Sequence, residues 1–175
     1  MNDLSQYEGI QHLIDTGDLI EWSGKNVISR AIMTVTRAKV SHTSVAVILP
    51  YQGHNRRYII EANRNGLQFS LLSEHLKRYR GSAWWYRLRE QYDPLRPKMG
   101  AWLFDELSRH PKYDFGAIGR QLFKRVSVDA GRWFCSEVMD ACYIAHGVIK
   151  PDPRGARRPG DFVQEGIFSA QARIL

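Results

Sequence analysis

Apolar residues along this chain alternate between a period near two and a period near 3.6, and the changes of period mark its elements. A short helix is predicted over residues 8–15, ended by Gly17, followed by a strand entered through a turn, Gly17–Trp22. Asn26 is placed to cap a helix through Val27, Ile28, Ala31, Ile32 and Val35, whose spacing is helical. Val40–Leu49 is β-branched and apolar, a strand stopped by Pro50. Its partner, Arg57–Ala62, follows a turn centred near Gln52 and Gly53. Leu67–Leu71 is a third short strand, and Ser73 is placed to cap a basic helix holding His75, Leu76 and Tyr79. Ser82–Leu88 carries aromatic side chains on both faces, as a central strand does. Residues 94–109 read as a helix with Leu95 and Pro97 near its start and Trp102, Leu103 and Leu107 inward. Asp114 is a cap for a helix reaching Phe123, after the turn Lys112–Gly116.

The last helix, Phe134–His146, places Cys135, Val138, Met139, Cys142 and His146 on one face. Gly147 suits its C-terminal cap, and Pro151 forbids continuation. A loop, Pro151–Gly155, and a short closing segment after Arg158–Phe162 complete the pattern. Strands then helices in this order predict an α+β fold, an antiparallel sheet packed with helices, over one domain spanning residues 1–175.

Composition narrows the classes. The chain has 175 residues, 43% of them hydrophobic, with no low-complexity tract. Its start, Met1–Tyr7, lacks a basic then apolar leader, and no apolar run is long enough to span a bilayer. The expectation is cytoplasmic synthesis, with any delivery to a cell wall by lysis or a dedicated export route. The two cysteines lie seven residues apart on one helix, roughly 10 Å along its axis, too far for a disulfide. There is no Cys-x-x-Cys, so a structural zinc is not expected, and no other cofactor is implied. The net charge of +7 favours anionic partners, such as an acidic cell-wall polymer. The basic groups Arg56–Arg57, Lys77–Arg80 and Arg154–Arg158 form no helical stripe or nucleic-acid motif, so nucleic acid is not expected as a partner.

Chemistry concentrates at three residues. Cys135 stands in the first turn of its helix, where unpaired N–H groups and the helix dipole favour a thiolate. Alone it is core filling, the ordinary fate of a free cysteine, and Cys142 is of that inert kind. The hairpin register sets Glu61 opposite residues 43–45, within a step or two of His42. Cysteine, histidine and a carboxylate are the parts of a thiol hydrolase: nucleophile, base and orienting group. For Glu61 the plain alternative is an ion pair with Arg64. His146, about three turns from Cys135, is a C-terminal cap partner, while His12, His54, His75 and His110 fall in polar, exposed surroundings. Trp84, Trp85 and Trp133 are core or cleft wall.

The pieces Gly17–Ile20, Ser41–Val47, Ile60–Ala62 with Gly66, Tyr113–Phe115, Phe134–Val138 and Pro159–Phe162 run in one order over residues 17–162. That ordered set resembles the permuted papain-like amidases, the YiiX/YaeF-like branch of the NlpC-type cysteine peptidase superfamily. The resemblance implies a circularly permuted papain-like (NlpC-type) fold. It also implies Cys135 as nucleophile, His42 as base and Glu61 as orienting residue, with peptide amides of cell-wall peptidoglycan as substrates. Tyr113, Ser136 and Asp18 are candidates for substrate or oxyanion contacts, with a turn role the alternative for Asp18. Two departures stand out: Phe134 where relatives often carry tyrosine, and Arg158 before Pro159 where a small hydroxyl residue is common. Lecithin-retinol-acyltransferase-like relatives share the permuted order but usually carry a second histidine and Asn-Cys-Glu-His. A hydrolase or transferase of lipid acyl esters or thioesters is therefore the first alternative. A non-catalytic module binding an anionic partner is the second.

Overall fold

The computed structural model describes residues 2–63, 66–109 and 134–175, the side chains of Ile28, Val35, Asn63, Phe134 and Cys135 apart. In chain order the elements are α1 (Ser5–Ile10), β1 (Leu19–Gly24), α2 (Val27–Thr36), β2 (His42–Tyr51), β3 (His54–Asn63) and β4 (Gly66–Leu71). They continue as α3 (Leu72–Arg78), β5 (Gly81–Leu88), α4 (Arg96–Arg109), α5 (Phe134–Ala145) and β6 (Phe168–Arg173). The six strands form one antiparallel sheet in the order β4-β3-β2-β1-β5-β6.

The hairpin β2–β3 is closed by Gln52 and Gly53, at φ +49° and +77°, and Tyr51 pairs with His54 across it. Two left-handed residues give the turn whose twist matches the strands. Pro50 does not stop β2: it pairs with Asn55 one step from the exposed tip of the hairpin. Asn26 caps α2, its side chain accepting from Ser29 N at 2.7 Å. Ser73 caps nothing. Helix α3 begins a residue earlier, directly from β4, and has no side-chain cap. The first helix starts at Ser5 and passes through a 3-10 turn, Gln11–Leu13, rather than spanning 8–15. Predicted elements over 110–133 lie outside the described residues.

Alternation along the strands splits the core in two. Ile20, Trp22, Ala46, Ile59, Ala83 and Trp85 pack with Leu4 at the start of α1, with Tyr7 within it, and with Leu72 and Leu76 of α3. Leu19, Val45, Val47, Ile60 and Ala62 pack with Met99 and Leu103 of α4 and with Val138, Met139, Cys142 and Tyr143 of α5. Helices therefore cover both faces, and β5 is interior, as its two-sided aromatic pattern requires. Strand β6 was hidden in the sequence because it is an edge strand whose positions are mostly exposed.

Asp18 is the pin of the β1 entrance. Fully buried, its carboxylate accepts from Asp15 N, Trp85 Nε1, Leu88 N and Arg96 Nη1 at 2.7–3.1 Å. Arg96, also buried, completes its fork on Thr16 O, Leu88 O and Asp93. Every oxygen of Asp18 is occupied in the interior. It is a structural ion pair and not a substrate contact.

Candidate active site

His42 opens β2, and Glu61 stands on β3 one pair beyond Val45–Ile60 in the antiparallel register. Residues 42 and 61 are thus diagonal neighbours on one face of the sheet. The side chains meet: His42 Nε2 lies 2.6 Å from Glu61 Oε2. A carboxylate there only accepts, so Nε2 carries the hydrogen. In the neutral ring the lone pair is then on Nδ1, and Nδ1 is the basic nitrogen. Glu61 is 9% exposed at its side chain and His42 24%, so the pair is screened but reachable. Burial pushes the Glu61 carboxyl up. The hydrogen bond and charge of His42, with the charge of His75, outweigh it and hold Glu61 below the ordinary range.

The second histidine was missed. His75, expected to be exposed and idle, is inward on α3. Its Nδ1 lies 3.8 Å from the other Glu61 oxygen, Oε1, and its ring is 4.6 Å from Trp22 and 5.7 Å from Tyr79, centroid to centroid. A signal existed in its place between Leu72 and Leu76, both fully buried, which fixes the inward face of α3.

Cys135 is the second residue of α5, in its first turn as the apolar spacing demands; its thiol lies outside the described residues, as does Tyr113. Ser136 is fully buried one residue on. The helix ends in a Schellman motif, Val148 N to Tyr143 O and Gly147 N to Ile144 O, with Gly147 at φ +70°. His146 is a cap partner, its Nδ1 2.8 Å from Cys142 O. Cys142 is fully buried, and burial pushes its thiol far above the ordinary range. It has the environment of an inert core thiol.

A further acid is buried near this centre. Glu21 pairs with Thr43, next along the chain from His42. It accepts from Gly160 N at 2.9 Å and from the Tyr86 hydroxyl. Burial raises its pKa to about 7. Gly160 is at φ +91°, and a Cβ on it would stand 3.1 Å from that of Ala38. The Pro159–Phe162 stretch is thereby fastened to β1 by a backbone N–H that only a closely approaching loop can supply.

Among known proteins, a family model described as permuted papain-like amidase enzyme, YaeF/YiiX, C92 family, matches residues 13–158. The chain is also similar to the crystal structure of metalloprotein YiiX from Escherichia coli O157:H7. The two share 22% identity over 78% of this chain and 68% of that one, with a TM-score of 0.55. No curated protein matches. The YiiX likeness agrees with the α+β architecture described above, and the family match spans most of the chain, from the turn before β1 to the edge of the Pro159–Phe162 loop. On that match this chain belongs to the permuted papain-like amidase family.

Proposed function

We propose that this protein is a cysteine-dependent amidase with Cys135 as nucleophile, His42 as base and Glu61 as orienting residue. The observation that carries the reading is the 2.6 Å contact of His42 Nε2 with Glu61 Oε2, which leaves Nδ1 as the proton acceptor. Nδ1 takes the thiol proton, and the thiolate attacks the amide carbonyl carbon, whose oxygen becomes an oxyanion. In this reading the first-turn N–H groups of α5 hold that charge, as a helix N-terminus favours an anion. The C–N bond then breaks as His42 returns its proton to the leaving amine, giving a thioester. Water adds to the thioester, Nδ1 accepting its proton, and the thiol leaves with that proton as the acid is released. Glu61 stays ionised throughout and steadies the imidazolium.

Helix α5 packs on the face opposite the one that carries His42 and Glu61. The mechanism therefore requires the thiol to meet Nδ1 around the end of β2, where His42 is the first residue. Peptide amides of peptidoglycan are the substrates we favour, because a net charge of +7 holds an acidic wall polymer. The similar protein YiiX is described as a metalloprotein. Among the described residues here, no group of three or more His, Cys, Asp or Glu side chains has metal-holding geometry. In the nearest set, His42, Glu61 and His75, the His42 Nε2 is engaged on Glu61. That donor set does not fit a metal, and no step is drawn through one.

The test is pH-dependent alkylation read by mass spectrometry at each cysteine. Cys135 is expected to react well below its free-thiol range of about 8.5, and His42→Ala to abolish that acidic reactivity. Cys135 titrating like a free thiol would end the cysteine mechanism.

A further inference from the structure

The Glu61 carboxylate has two oxygens and two imidazole neighbours. Oε2 meets His42 Nε2 at 2.6 Å, and Oε1 faces His75 Nδ1 at 3.8 Å. The ring of His75 is not left to rotate. It lies 4.6 Å from Trp22 at 49° and 5.7 Å from Tyr79 at 30°, while Trp22 and Tyr79 are themselves 4.8 Å apart. Trp22 is fixed in turn, because its Nε1 donates to Ser44 Oγ at 2.8 Å, and Ser44 is the residue that the register sets opposite Glu61. The backbone of α3 is anchored by Leu72 and Leu76, both fully buried. A closed set of contacts thus runs from β2 through Trp22 and His75 to Glu61 and back to β2.

We propose that His75 is a positioning residue for the His42–Glu61 pair: clamped by Trp22 and Tyr79, it keeps Glu61 in the rotamer that gives Oε2 to His42. This rests on the reading of His42 and Glu61 as base and orienting residue. A free glutamate on a strand end has several rotamers, and only some present an oxygen to a diagonal neighbour. The His75 ring nitrogen, 3.8 Å from Oε1 and so beyond hydrogen-bond distance, sets a dipole on the far side of the carboxylate that favours one of them.

The charge state suits the task. Two charged groups act on His75, Glu61 from β3 and His42 from β2; on α3 itself, Glu74 is paired with Lys77 at 2.7 Å. Burial lowers the pKa of His75, the attraction of Glu61 opposes that, and His42 adds to the lowering; the net direction is down. At neutral pH His75 is uncharged. It therefore orients Glu61 as a dipole, without setting a second positive charge against the His42 imidazolium.

The test is NMR titration of the His42 ring in full-length Cys135→Ser protein, where no thiolate contributes. His75→Phe keeps an aromatic ring in the clamp and removes the polar contact. It is expected to lower the His42 midpoint by about half a unit, roughly threefold in proton affinity. His75→Gln, which restores an N–H donor, recovers most of that shift. In a Glu61→Gln background, His75→Phe moves nothing. An unchanged midpoint in His75→Phe overturns the proposal, and so does an equal shift when Glu61 is already replaced. A measurement without replacing His75 stands beside it. Ring nitrogen shifts should report the Nδ1–H tautomer for neutral His75, and the Nε2–H tautomer would overturn the assignment equally. Failure of Cys135 to alkylate at low pH would end the cysteine mechanism yet leave these titrations interpretable, so the two readings fail separately.

Discussion

Replacing Glu21 by Gln should stabilise this protein at alkaline pH and leave it nearly unchanged in acid. Glu21 is 1% exposed, and its carboxyl is raised from 4.5 to about 7, chiefly by burial. The folded chain thus holds a proton that the unfolded chain has released between those values. Stability that is full below the unfolded pKa is lost as pH rises through the folded one. The gap, worked at 1.36 kcal/mol per unit, makes Glu21 cost about 3 kcal/mol above pH 7 relative to acid. Gln keeps an acceptor for Gly160 N and offers an N–H to the Tyr86 oxygen, so its own hydrogen bonds are nearly intact. Chemical denaturation across pH, wild type against Glu21→Gln, isolates the effect from Glu137, whose carboxyl is also raised to about 7. The curves should coincide below about pH 4 and separate by about 2–3 kcal/mol above pH 7. Parallel curves, or a variant less stable at high pH, would refute the assignment of Glu21 as a protonated, desolvated acid.

Asp18→Asn should destabilise the fold by about 3 kcal/mol, since Arg96 stays buried with only the more exposed Asp93 and Asp15 as carboxylate partners among the described residues; a loss under about 1 kcal/mol in denaturant melts would contradict the pin. Gly160→Ala should cost about 1–2 kcal/mol from its left-handed φ alone, more with the Ala38 contact, and should enlarge the Glu21 step, because the Gly160 N–H that it disturbs holds the Glu21 pKa down. Glu61→Gln should slow Cys135 alkylation at mildly acid pH by tenfold or more, on the order of 1.4 kcal/mol, while leaving Cys142 unreactive; equal rates would dismiss Glu61 as the orienting group. Glu61 also adds stability that is present above its unfolded value of about 4.5 and lost as pH falls through its depressed folded value, and Glu61→Gln should remove that acid step from the melting curve.

The parts of this architecture that rest on local chemistry were legible in the sequence. Gln52 and Gly53 announced a two-residue turn, and that turn placed Glu61 opposite residues 43–45; the Val45–Ile60 pair sets it opposite Ser44. Asn26 and Gly147 announced helix ends because a cap is a contact with the adjacent turn. What depends on distant packing was not legible. His75 looked like one polar residue of a basic helix, since its neighbours Trp22 and Glu61 come from strands far along the chain. Glu21 had no role of its own in the Gly17–Trp22 strand reading; its bond from Gly160 N comes from a loop far along the chain. Pro50 looked like a strand stop, but the hairpin tip beyond the core needs few ladder bonds and tolerates it.

The sheet itself sets a constraint on the chemistry. His42 and Glu61 share the face of Trp22 and His75, whereas the inward side of α5 packs with Val45, Val47 and Ile60 on the other. A histidine in the middle of β2 on this face would be cut off from α5 by the full thickness of the sheet. His42 is instead the first residue of the strand, where the ladder ends and a ring can be approached past the backbone. With Nε2 turned inward to Glu61, the proposed mechanism assigns the proton transfer to Nδ1. Moving the histidine two residues along, by exchanging His42 with Ser44, would preserve the face and the residue types but set the ring within the sheet. Acidic reactivity of Cys135 should then vanish, although the Ser44 position lies directly opposite Glu61 and still offers an imidazole a carboxylate partner. Retained reactivity in that exchange would show that the thiol is reached by a different base.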